Sequence, residues 1–451
     1  MNNHKYELLP YCIFLYQGLK IKMAKGKRRS ITIIKGGNLI DGAGAKPVKN
    51  AVVVIEGAKI IAVGKEGDVD IPTNAKKTEI EADGKTVMPG LIDSHLHLMG
   101  LKTDRILEEE LVRPQQLGLI KSVVDAKDLL DAGFTTVKDC GGFGIYLKKA
   151  MAEGSIRGPR ILSSGYVLSQ TAGHGDMHFV PVEFVDARIT KRGMSLLCDG
   201  VSECIKAARY ALREGADFIK ICTSGGVMSM VDRPEHTQFT VEEIKAVVEE
   251  ARHVGKYVTA HCQGTEAMKN SIIAGVKTID HAFYPDGEVI EMAKKRKDVI
   301  FVPTLSIAWR IITGGEEAGY PPWAVAKGKE VWEIMVKNIA KLYRAGLAIA
   351  SATDFAGSPL LKMGTNAMEL ELLVKHCGFK PMDAIVAATR NGAKACDLEN
   401  VTGTVEKGKF ADIIVVEGDP LKDVKILQDK SRIKMVMKEG RIEVQRGIKT
   451  S

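Results

Sequence analysis

Eight short apolar runs, each of β character and most followed by a helical pattern, constrain this chain more than any other feature. They fall at residues 87–97, 134–139, 160–164, 218–222, 257–262, 278–282, 299–305 and 348–354. Between them lie segments with helical spacing, among them 114–131 and 240–253. The second opens with Thr240-Val241-Glu242-Glu243, the pattern of a capping box. Strands alternating with helices imply a parallel sheet, and eight such units imply a closed (β/α)8 barrel. A chain of 451 residues accommodates such a barrel with a small appendage.

The ends of these runs carry the chemistry. The first ends in His95-Leu96-His97, and successive strand side chains alternate faces, so two histidines two residues apart project together and can grip one metal ion. Lys220, His261, His281 and Asp354 each stand at or near the end of a later run. A lysine inside an apolar strand costs several kcal/mol unless it is paired or neutralised. One solution is an amine that captures carbon dioxide as a carbamate, whose two oxygens can bridge two cations about 3.5–4 Å apart. In a barrel of this kind chemistry sits at the C-terminal strand ends, where all six residues fall.

The order and spacing of these six residues resemble the amidohydrolase superfamily, in particular its two-metal members with a carboxylated lysine on the fourth barrel strand. The opening Ile34-Lys35-Gly36-Gly37-Asn38-Leu39-Ile40-Asp41-Gly42 and the closing Gly403-Thr404-Val405-Glu406-Lys407-Gly408 resemble the flanking β-domain of that superfamily. The stretches Thr171-Ala172-Gly173-His174-Gly175-Asp176 and Ser224-Gly225-Gly226-Val227-Met228-Ser229 are most similar to its prolidase-like branch, which includes Xaa-Pro dipeptidases and Xaa-Arg/Lys carboxypeptidases.

The resemblance implies a TIM barrel over 87–399 and a small β-sandwich built from 30–86 and 400–451. It implies that His95, His97 and Asp354 hold the more buried of two divalent ions, zinc first among candidates, and that His261 and His281 hold the other. Lys220, carboxylated by carbon dioxide, would bridge them. The expected reaction is hydrolysis of an amide bond in a dipeptide or N-acyl amino acid by a hydroxide shared between the ions, with Asp354 as general base and acid. His174 is the first candidate for a group that contacts the substrate carbonyl or carboxylate, with Arg160 and Arg310 behind it. Asp176 would favour a basic leaving residue. Competing readings are a cyclic-amide hydrolase of the imidazolonepropionase kind, a lactonase or phosphotriesterase, and a non-catalytic binding protein. The last has no need of a buried lysine and a base.

Charge narrows the partners. Residues 1–29 hold seven Lys and Arg against the single acid Glu7, so six of the eight net positive charges belong to this extension. It reads as a disordered basic tail, and Met23 followed by Ala24-Lys25-Gly26-Lys27 as a natural start. The body is nearly neutral, which gives no support to a nucleic-acid partner. The apolar run at 8–19 is too short to span a membrane and makes a poor secretory signal. The partner expected is a small molecule; a homo-oligomer is compatible with everything above. Eight cysteines without a C-x-x-C pair make a reducing cytoplasm the simplest setting, with Cys222 a small interior filler. Segments 167–200 and 306–327 read as long irregular loops that cover the site.

Overall fold

The computed structural model describes residues 29–190 and 193–451, so the basic tail lies outside the described residues except for Arg29, which begins a strand. Both ends of the chain build one eight-stranded sheet. Its order is Arg441–Gln445, Ile433–Lys438, Ile413–Glu417, Lys85–Pro89, Arg29–Leu39, Val48–Glu56 and Lys59–Lys65, with Ala75–Glu81 also paired to Arg29–Leu39. The strands expected to form a small β-sandwich are hydrogen-bonded into one ladder, branched at Arg29–Leu39. Lys85–Pro89 is the reason: it pairs antiparallel with Ile413–Glu417 on one side and parallel with Arg29–Leu39 on the other. Ile34, Val53 and Ile55 from the first half share one apolar cluster with Ile413, Val415 and Met435 from the second.

The run at 87–97, read as a single strand, breaks at Gly90. Gly90 N donates to Asp412 O at 2.9 Å in the terminal sheet, whereas Leu91 N donates to Gly133 O at 2.9 Å in the next layer. A Cβ on residue 90 would lie 2.1 Å from Thr135 Oγ1, so only glycine lets the chain pass between the two layers.

Eight parallel strands follow the predicted sequence order, but their ladder is not a continuous ring. Leu91–Leu96, Phe134–Asp139 and Arg160–Ser163 form a three-stranded sheet. Ile219–Cys222, Val258–Cys262, Thr278–His281, Ile300–Val302 and Ala348–Ile349 belong to a seven-stranded one. Its other two members, Val167–Ser169 and Ser195–Leu197, come from a segment read as irregular. Single backbone bonds cross both gaps between the sheets: Ser94 N to Ser351 O at 3.0 Å and Asp354 N to His95 O at 2.8 Å on one side, Asp217 N to Ser163 O at 2.8 Å on the other. Helices pack outside, including Gln115–Asp131 and Val241–His253, where Thr240 and Glu243 complete the capping box. Among the described residues no helix is long and apolar enough to cross a membrane.

The other segment read as a loop, 306–327, is largely helical. Leu305–Gly314 is an α-helix, and Pro322 begins the longer helix Pro322–Arg344. Glu369, fully buried on the helix Met368–Cys377, holds the first of these by its N-terminus. One carboxylate oxygen accepts from Leu305 N at 3.0 Å, and the other accepts from Ser306 N at 2.8 Å and Ser306 Oγ at 2.6 Å. Burial pushes the Glu369 pKa up to about 8 against the opposing pull of these donors.

Two outcomes follow. Glu369→Ala leaves buried donors unpaired and should lower unfolding stability by about 1–3 kcal/mol, read by denaturant titration. With a folded pKa raised above the unfolded one, Glu369 keeps its proton where the unfolded chain has lost it, so its contribution is full at acid pH and declines as pH rises towards about 8. Glu369→Gln should therefore show a smaller fall in Tm between about pH 5 and 9 than the parent protein.

Candidate active site

Seven side chains singled out in the sequence open onto one cavity of about 240 Å³: His95, His97, His174, Lys220, His261, His281 and Asp354. His95 stands in the strand Leu91–Leu96 and His97 just beyond it. Lys220, His261 and His281 lie in their own strands, and Asp354 follows Ala348–Ile349 by five residues. Their nearness comes from parallel strands, which bring residues distant in sequence to one rim. Two of them, His281 and Asp354, take left-handed backbone with φ of 71° and 60°. Non-glycine residues adopt that conformation only where the surroundings impose it, and such strain collects at functional sites.

The imidazoles are held in defined orientations. A carbonyl only accepts, so His97 Nδ1–H donates to Gly141 O at 2.8 Å, which turns Nε2 towards Asp354 Oδ1, 3.1 Å away. His261 Nε2–H donates to Gly225 O at 3.0 Å and leaves Nδ1 bare. His281 Nδ1 pairs with Thr304 Oγ1 at 2.8 Å. The ring centroids of His95 and His281 are 5.1 Å apart, and those of His261 and His281 are 4.6 Å apart. Burial lowers the His281 pKa to about 3 and, with His174 beside it, drives that of His261 well below its ordinary value. Both rings are thus neutral at physiological pH, the form that binds metal. Burial would raise the Asp354 carboxyl, but His95 and His97 outweigh it and hold it well below the usual carboxylate range.

This donor set fits a divalent metal centre. Ligand atoms of His95, His281 and Asp354 lie within 4.8 Å of one another, and imidazoles with a carboxylate suit zinc and its neighbours. Lys220 is buried and its ammonium donates to Asp280 Oδ2, which also lies 2.9 Å from His95 Nδ1. Burial opposes charge on Lys220, yet Asp280 more than offsets it and raises the lysine pKa.

His174 lies flat against His261, ring centroids 4.0 Å apart and planes 17° from parallel, with Nδ1 3.7 Å from Asp232 Oδ2. Gln238 and Gly226 N donate to Asp232 and fix it there. Other sequence candidates part ways. His178 and Cys222 line the cavity, as does Asp176, whose carboxylate accepts from Ala172 N at 2.8 Å. Arg160 does not: it is tied to Asp412 and Glu439 of the terminal sheet, each at 2.7 Å, and its role as a substrate-carboxylate ligand is withdrawn. Arg310 is also absent from the lining.

Sequence reasoning passed over Asp280, Asp232 and the network below His95, where Asp93 accepts from Thr353 Oγ1 and Asn366 Nδ2, both at 2.7 Å. For Asp280 the signal was present. A carboxylate inside an apolar strand calls for the same explanation as Lys220.

The amidohydrolase family model matches residues 86–442, and the chain belongs to that family, whose members are hydrolases that generally use a divalent metal centre. An ochratoxinase from Aspergillus niger is 34% identical over 438 residues, 93% of this chain and 88% of that one. Its crystal structure matches with a TM-score of 0.83 at 32% identity, covering 93% of this chain and 97% of the other. A prolidase crystallised with N-methylphosphonate-L-proline matches at 0.84 with 30% identity, and a Xaa-Pro dipeptidase with methionine in its active site at 0.82 with 31%. Each covers 92% of this chain and all of the other. The expected prolidase-like branch is the one these neighbours represent.

Gly226 provides a test of the His174 platform. A Cβ there would lie 2.3–2.9 Å from the His174 ring atoms. Gly226→Ala should displace that ring and lower kcat/KM by at least about tenfold, the scale of a lost substrate hydrogen bond, while metal content by atomic emission stays unchanged.

Proposed function

We propose that this protein hydrolyses the amide bond of dipeptides or N-acyl amino acids whose flanking groups are large and apolar. The observation that carries this reading is the convergence of six candidate ligands and His174 on a cavity whose remaining wall is mostly apolar. Met99, Met177, Met194, Met228 and Met230 contribute, together with Phe179, Phe283 and Trp323. Methionine side chains adapt to irregular apolar shapes and contact aromatic rings favourably. Among the described residues the wall contains no arginine and no lysine besides Lys220, so a free carboxylate on the substrate has the His174 imidazole, backed by Asp232, as its hydrogen-bond partner. A basic leaving residue guided by Asp176 finds less support in a wall of this composition.

On this reading His95, His97 and Asp354 would hold one ion and His261 and His281 the other, with Lys220, as a carbamate, supplying a further ligand. When bound, the ions supply a Lewis acid for the scissile carbonyl and lower the pKa of a nearby water. Asp354 takes the proton released as water attacks and delivers it to the leaving nitrogen, since its carboxylate is kept ionised and faces the cavity. His174 holds the carboxylate or acyl oxygen, and the apolar wall excludes bulk water. The two parallel sheets act as one (β/α)8 barrel on this view, through the backbone bonds that cross their gaps. Seven cysteines among the described residues are all free and buried, in keeping with a reducing, cytoplasmic setting.

A library of dipeptides and N-acyl amino acids, offered to zinc-reconstituted protein, tests the assignment. Substrates with aromatic or long aliphatic groups should be preferred, and C-terminally amidated analogues should react at least about tenfold more slowly than free acids. Asp354→Asn should keep the fold and reduce kcat by roughly two to four orders of magnitude. Equal rates for acids and amides would discard the role of His174, and activity restricted to lactones, phosphotriesters or cyclic amides would replace the assignment.

A further inference from the structure

Below the candidate ligands the interior of the parallel sheets is polar, where barrels of this kind are normally packed with branched aliphatic side chains. Lys138, in the strand Phe134–Asp139, is fully buried and does not reach the cavity. Its ammonium donates to Thr259 Oγ1 at 2.6 Å, Thr278 Oγ1 at 3.2 Å and Ala395 O at 3.4 Å. It also lies 4.8 Å from the Phe218 ring centroid and 5.3 Å from that of Tyr257. All three acceptors are uncharged, and a buried cation needs a counter-charge.

That counter-charge is one hydroxyl away. Thr278 Oγ1 accepts from Lys138 and lies 2.8 Å from Thr259 Oγ1, so with Thr259 as donor its own proton is directed to Asp280 Oδ1 at 3.3 Å. The other Asp280 oxygen accepts from Lys220 and lies against His95. One carboxylate therefore stands between two lysines, touching Lys220 directly and Lys138 through Thr278.

The arrangement acquires a purpose if Lys220 is carboxylated, the reading on which this inference rests. The ammonium first gives a proton to solvent water. The free amine then bonds through its lone pair to the carbon of carbon dioxide, a C–O π pair moves onto oxygen, and a second proton passes from the nitrogen to water. A cation has become an anion, and Asp280 has lost its ammonium partner. We propose that Lys138 is a positioning residue whose ammonium, linked through Thr278, keeps Asp280 compensated so that Lys220 can be carboxylated and serve as a metal ligand.

The test reads the modification and the metal, not turnover. Protein is reconstituted with zinc and 13C-bicarbonate, the carbamate carbon is followed by 13C NMR, and zinc affinity is measured by competition with a chelator. Lys138→Met and Thr278→Val should each weaken zinc binding by about 10- to 100-fold, the usual cost of losing a partner behind a metal ligand, and should lose carbamate signal in parallel. Thr278→Ser, which keeps the hydroxyl, should restore both. If Lys138→Met does not fold, Thr278→Val decides, because it leaves the lysine in place and removes only the link. Parental zinc affinity and carbamate signal in a folded Lys138→Met or Thr278→Val protein would overturn the proposal. A parental protein with no carbamate signal would instead overturn the carboxylated-lysine reading beneath it.

Discussion

The ion pair between Lys220 and Asp280 is the point on which the rest of the site depends. Two opposite charges taken out of water pay a large desolvation cost, and they remain only where geometry and further hydrogen bonds compensate it. Here the compensation is extensive. Thr278 donates to the second carboxylate oxygen, His95 lies against the first, and Lys138 adds positive charge from below. Asp280 is held well under the ordinary carboxylate range even though burial pushes the other way, because Lys220 and His95 outweigh it. A core selected only for stability would replace such a cluster with apolar side chains.

The terminal sheet is bound to this centre by equally specific contacts. Asp412 accepts from Arg160, which leaves the strand Arg160–Ser163, and also from Thr402 Oγ1 at 2.7 Å and Glu439 N at 2.8 Å. Gly90 carries the chain from the terminal sheet directly into the strand that presents His95. The sheet assembled from both chain ends therefore sets the register of the first ligand strand without contributing a side chain to the cavity. Its value is positional.

Likeness to an ochratoxinase, a prolidase and a Xaa-Pro dipeptidase is compatible with several substrates on one scaffold, and fold alone does not choose among them. What distinguishes chains on such a scaffold is the wall. In this chain it is supplied by elements above the strand ends: the segment around His174, the turn through Val227 and Met230, and the helix Leu305–Gly314, which contributes Ile307 and Ile311. Lys327 donates to the carbonyls of Gly226 and Ser229 at 3.2 and 2.7 Å, and Trp323 Nε1 to that of Met228 at 3.2 Å, so the turn is pinned from the long helix behind it. The methionine-rich face is adaptable in its side chains and fixed in its backbone.

Local chemistry in the sequence determined a good deal. Alternation along single strands paired His95 with His97, the cost of burying an amine singled out Lys220, and the capping box at Thr240 marked a helix start. Each of these depends on residues close together in the chain. What escaped the sequence depends on residues far apart. The segment 306–327 lacks a local cap, and its helix is held by Glu369 more than sixty positions away. The strand at 87–97 divides because Thr135 occupies the space beside Gly90. Arg160 reads locally as a free cation and is claimed by Asp412 from the far end of the chain. Lys138 and Asp280 carried the same local signal as Lys220, but only tertiary structure places them on either side of Thr278. A strand pattern records which face a side chain takes, and the partner waiting on that face belongs to another strand.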